Sequence, residues 1–104
     1  MKFEAPAART KSEVIERELN VYVQKMEAAL EELAAEQAAN PANARSIFRE
    51  SLKIMRIVDS VVANPELDIR ELQGTVDGIV RMIGLNPADF SLDKVQQLSE
   101  RISA

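Results

Sequence analysis

The chain has 104 residues and a formal net charge of −4, and it contains no Cys, no His and no Trp. That composition excludes disulfides, Fe–S clusters and thiol nucleophiles, and it removes both the usual general base near neutral pH and the commonest metal ligand. With 46% hydrophobic and 29% charged residues, the chain has the make-up of a folding globular domain rather than a disordered one.

Aromatics are limited to Phe3, Tyr22, Phe48 and Phe90, so the core has to be built from Leu, Ile, Val, Met and Ala. Aliphatic cores of this kind suit helix packing better than a sandwich of strands. No run of eighteen apolar residues occurs and the first ten residues hold no signal-like apolar stretch, which predicts a cytoplasmic protein with no membrane contact.

Residues 1–9 carry no hydrophobic period and include Pro6; they are expected to form a flexible arm ahead of a single helical domain over 10–104. Helix one is predicted over about 11–39, with Thr10 and Glu13 as a capping box. Its apolar positions Ile15, Leu19, Tyr22, Met26, Ala29 and Leu33 step by four and three, a seam sustained for nearly three heptads and widened by Val23 and Leu30. A helix of that span would be about 40–45 Å long. Its far end, around Leu30, Leu33 and Ala34, is expected to outrun its neighbours and to seek a partner.

Asn-Pro recurs at 40–41, 64–65 and 86–87, pairing a residue suited to caps with one that presets a first helical turn. Helix two is predicted over about 43–63. Ile47, Phe48, Ile54, Met55, Val58, Val61 and Val62 fill a broad arc, so this helix is expected to be the most buried. Helix three, about 69–83, has Ile69, Leu72, Val76, Ile79 and Ile83 on one stripe, Asp68 with Glu71 as its capping box, and Gly84 to end it. Helix four, about 92–102, has Ser91 as its cap and Phe90 stapled against Val95. No segment alternates with the period of a strand. The expected fold is all-α, a small bundle of about four helices with a long N-terminal one.

Catalytic chemistry would have to come from carboxylates, Lys, Ser, Thr and one Tyr. Glu13, Glu16, Glu27, Glu31 and Glu36 recur on outer faces of helix one, where glutamate serves solubility and helix propensity. Carboxylate-bridged metal bundles draw on Glu-x-x-His pairs, and there is no His here. Gly74, Gly78 and Gly84 lie inside or at the end of a helix, so they form no phosphate loop. No enzyme activity, cofactor or metal is expected.

Two further patterns bear on partners. Arg45, Arg49, Lys53 and Arg56 fall within about 80° on helix two, a basic stripe inside an acidic chain. Residues 40–64 carry +2 (four basic against two acidic side chains), while 1–39 and 65–104 carry −3 each (five against eight, and four against seven). The stripe either meets phosphates or an acidic partner, or is a solvated face bridged to glutamates of helix one. Net acidity and the lack of interleaved aromatics speak against nucleic acid. On helix three, Gly74, Gly78 and Met82 lie roughly opposite the apolar stripe; glycines in mid-helix cost about 1 kcal/mol each relative to Ala. They are read as a close approach to another helix, a hinge, or tolerated surface positions.

The stretch Ala28–Leu52, with its Ala/Leu helix, Asn-Pro turn and second amphipathic helix, resembles the helical hairpin of type III secretion needle subunits. Those subunits have nothing like residues 65–104, and the chain is not assigned to that family. The likeness implies an accessory or chaperone-like helical protein.

The expected function is that of a non-enzymatic protein–protein interaction module, an adaptor, accessory chaperone or assembly subunit. It would act through aliphatic helix faces, self-associate into a homo-oligomer or bind another helical protein, and use Leu30, Leu33, Ala34, Gly74, Gly78 and Met82. The alternatives are a nucleic-acid-associated regulator using Arg45, Arg49, Lys53 and Arg56, and an acidic inhibitor of the immunity type, steered by its negative charge.

Overall fold

A computed structural model describes residues 11–103. The expected arm over 1–9 and the Thr10 half of the first capping box lie outside the described residues. Four helices follow in order: α1 (Lys11–Glu36), α2 (Pro41–Ala63), α3 (Arg70–Met82) and α4 (Leu92–Ser103), with a short 3-10 turn at Pro87–Asp89 before α4. The described residues contain no strand, and the all-α bundle expected from the sequence is the observed architecture.

Helix boundaries follow local chemistry. α1 stops at Glu36, short of 39, and hands over to a tight turn in which the Gln37 N–H donates to the Leu33 and Ala34 carbonyls. Asn40 then caps α2, its side-chain oxygen accepting from the Asn43 N–H at 3.4 Å, so that Pro41 is the first helical residue and the helix begins two positions before the predicted 43. The second Asn-Pro ends α2 instead of starting a helix: the Asn64 N–H donates to Ser60 O, and its Oδ1 accepts from Glu66 N–H. The third starts the 3-10 turn.

α3 corrects the expected cap. Asp68 does not pair with Glu71; it accepts from the Arg70 N–H at 3.1 Å and from the Arg70 guanidinium at 2.8 and 3.1 Å, and Ile69 occupies the cap position with no side-chain cap bond. A guanidinium two residues away outcompetes the more distant box geometry. At its other end α3 closes as expected. Gly84 takes φ +91°, a conformation open to glycine without a Cβ penalty. The Leu85 and Gly84 N–H groups then donate to Val80 O and Arg81 O, the Schellman arrangement. Ser91 accepts from Lys94 N–H at the start of α4, with Phe90 and Val95 both buried beside it.

α1 and α2 form an antiparallel hairpin, and α4 packs against both; α3 packs on α2. The core draws Ile15, Leu19, Met26 and Leu30 from α1, Ile54, Val58 and Val61 from α2, Val76 and Val80 from α3, and Phe90, Leu92, Val95 and Leu98 from the last segment. The expectation that α2 is the most buried helix does not hold. In α4, a much shorter helix, Leu92, Val95, Leu98 and Ser99 are all buried, whereas α2 leaves Phe48, Leu52 and Val62 exposed. The described part measures 54 × 34 × 19 Å, and 19 Å is about two helix diameters, so no helix is wrapped on all sides.

Side chains tie the linkers to this frame. Gln73 on α3 donates through Nε2 to Phe90 O at 3.0 Å and accepts at Oε1 from Leu92 N–H at 2.7 Å, pairing with the backbone that leads into α4. Gln96 on α4 donates to Pro65 O and Leu67 O, holding the α2–α3 connection.

Candidate protein-interaction groove

The hairpin carries an apolar groove of about 280 Å³ along one side. α1 contributes Glu27, Leu30, Glu31 and Ala34; α2 contributes Phe48, Ser51, Leu52 and Met55. The floor is continuous with the core through Leu30, which is only 3% exposed, while Phe48 is 61% exposed and Leu52 42%. A phenylalanine and a leucine one helical turn apart, both exposed beside a concave apolar floor, form a small apolar patch.

The charged lining of the groove is acidic, and the basic side chains of α2 stand beyond its edge. Glu27 and Glu31 stand on the α1 side. On the α2 wheel Leu52 lies about 20° from Arg45 and about 40° from Arg56, with Arg49 and Lys53 beyond. All four basic side chains are exposed. The bridging of this stripe to glutamates of helix one, one of the two readings taken from the sequence, is not found. Lys53 pairs at 3.2 Å with Glu50 of its own helix, and Arg45, Arg49 and Arg56 have no ion pair among the described residues. α2 presents these arginines away from α1, which is why the glutamates across the hairpin do not reach them.

The residues singled out at the end of helix one are separated by the fold. The expectation of an unaccompanied end is corrected: α2 turns back at Asn40 and runs beside it. Leu30 therefore enters the core. Ala34 lines the groove, and Leu33 faces the other side of the hairpin, in a hollow shared with Ile47, Met82 and Ile83. Met82 is 66% exposed at that hollow's edge. Gly74 and Gly78 are exposed and join neither surface; a Cβ added to either would meet nothing within 4 Å. Among the described residues they mediate no close helix approach, and α3 runs unbroken through both.

Sequence reasoning assigned Phe48 and Met55 to a buried arc and passed over Leu52. A signal was present: with Leu52 and Ile57 included, the apolar arc of α2 extends over more than 200°, wider than its helix neighbours cover. Among the described residues no group of three His, Cys, Asp or Glu side chains is placed to hold a metal ion, and no helix is long and apolar enough to cross a membrane. Comparison with protein-family models, with curated proteins and with solved structures gives no match.

Proposed function

We propose that this chain is a non-enzymatic protein-interaction module whose binding surface is the α1/α2 groove. The exposure of Phe48 beside Leu52 carries this reading, because aromatic anchors over an apolar depression contribute a large share of binding free energy at protein interfaces. The groove's apolar floor and its two helical walls fit an amphipathic helix presenting an apolar stripe. Adaptor, accessory-chaperone and assembly-subunit roles all use such a surface, as does an acidic inhibitor that meets a basic target.

A displayed library of amphipathic helical peptides, panned on the full chain, tests this. Selected peptides are expected to lose affinity roughly tenfold or more on Phe48→Asp, and to tolerate Met82→Asp in the hollow on the other side of the hairpin. Failure to select any binder, or binders indifferent to both Phe48→Asp and Leu52→Asp, would overturn the reading.

A second reading, a regulator that binds nucleic acid along α2, is favoured by one observation: Arg45, Arg49 and Arg56 are without ion-pair partners among the described residues. It predicts salt-dependent retention on DNA that disappears with Arg45→Glu/Arg49→Glu. Glu27 and Glu31 across the groove oppose it by repelling phosphates.

A further inference from the structure

We propose that the groove's occupant is a second copy of this chain, docked about a two-fold axis that runs along the groove. The inference rests on the groove being an interaction surface and adds what fills it. Glu27 and Glu31 stand on the α1 rim of the groove, and Arg45, Arg49 and Arg56 stand exposed beyond Leu52 on the α2 side. Two identical faces can meet about an axis across the groove or about one along it. The first stacks α1 on α1, setting glutamate against glutamate and arginine against arginine. The second stacks α1 of one copy on α2 of the other, so that each acidic rim meets a basic flank, and it does so twice.

The heights of these residues agree with the second arrangement. Rotation about an axis parallel to the groove leaves every residue at its own level. α1 and α2 are antiparallel and rise equally per residue, so in the register that sets Ala34 beside Phe48 in the groove, Glu27 stands about one residue from the level of Arg56 and Glu31 about two from that of Arg49. Each Phe48 would therefore lie over a small residue of the other copy, with an arginine–glutamate pair on either side of the Leu52 contact. A face of two helices, about 35 Å long and about 20 Å wide, offers about 700 Å² per copy. That approaches the roughly 800 Å² per partner of a stable interface.

Sedimentation equilibrium of the full chain over a concentration series, with three variants, tests the proposal. Wild type is expected to reach twice 11.6 kDa, more weakly as salt rises. Arg49→Glu/Arg56→Glu and Glu27→Lys/Glu31→Lys should each weaken self-association by roughly a hundredfold, because like charges then face one another. An equimolar mixture of the two should form a heterodimer, and all four changes in one chain should restore the homodimer. These side chains are exposed and outside the core, and circular dichroism would confirm that each variant is folded. A wild type that stays monomeric while groove-selected peptides still bind would overturn the second copy and leave the interaction surface standing. A monomer that binds no peptide removes both. Dimerisation that both double variants retain, or a mixture that fails to associate, would overturn the arrangement.

Discussion

The Tyr22 hydroxyl on α1 accepts a hydrogen bond from the Ser91 N–H at 3.1 Å, joining residues 69 positions apart in the chain. The same ring lies 5.2 Å from the Lys94 ammonium. On the opposite flank of this segment Gln73 pairs with Phe90 O and Leu92 N–H. The backbone entering α4 is thus satisfied from two helices that are both distant in sequence.

Removing these partners separately should show how the cost divides. Tyr22→Phe keeps the ring over Lys94 and orphans one half-buried N–H, a loss of about 1 kcal/mol in urea unfolding. Gln73→Leu orphans a donor and an acceptor together and should cost about 2–3 kcal/mol. A Gln73→Leu variant as stable as wild type would show that water replaces both bonds without penalty.

Ser99 offers the opposite case. Its hydroxyl is buried where α4 faces Glu16, Leu19 and Asn20 of α1, without a hydrogen-bond partner among the described residues. Ser99→Ala removes an unsatisfied polar atom and introduces a better helix former. An increase in stability of about 0.5–1 kcal/mol is expected, and a decrease in thermal midpoint would contradict it.

Asp68 supplies a pH signature. Its hydrogen bonds to the Arg70 side chain, and next to the Arg70 N–H, lower its pKa from 3.8 to about 2. A carboxyl with a depressed folded pKa adds stability above its unfolded pKa and gives it up as pH falls through the folded value. The stability difference between wild type and Asp68→Asn should therefore hold steady from neutral pH down to about 4 and vanish between about 4 and 2. The pair is fully exposed, so added salt should shrink the difference. A carboxyl resonance of Asp68 titrating at its ordinary value would refute the pairing in solution.

The three glycines should separate cleanly. Gly74→Ala and Gly78→Ala meet open space in a regular helix and should each stabilise by about 0.5–1 kcal/mol. Gly84→Ala forces a Cβ into φ +91° and should cost about 1 kcal/mol or more. If Gly74→Ala or Gly78→Ala instead weakened self-association without lowering stability, α3 would be an interface and the groove would not be the sole one.

What was legible in the sequence was mostly what is local. Ser91 capping α4 and the turn at Gly84 each depend on residues within a few positions, and the structure has them as expected, with Phe90 and Val95 both buried in the core. Asp68 shows how a local pattern can mislead, because Arg70 competes for the same carboxylate at shorter range. Phe48 shows a different limit: periodicity says that a helix has an apolar arc, but which part of a wide arc is covered depends on where α1 and α4 settle. Gln73 and Gln96 carried no sequence signal at all. A glutamine that clamps a distant backbone looks, in one dimension, like any solvated glutamine.

The lateness of α4 has a consequence for how the chain reaches its fold. This helix covers α1 and α2 together and is the last of the four to leave the ribosome. Until it does, Tyr22 lacks its Ser91 and Lys94 partners and the faces of α1 and α2 that α4 packs on stay open, so the helices already made can form a loose hairpin but not a finished core. Closure has to wait for a contact spanning most of the chain, and a nascent chain stalled before Phe90 would expose its apolar seam to whatever holdase or protease stands nearest.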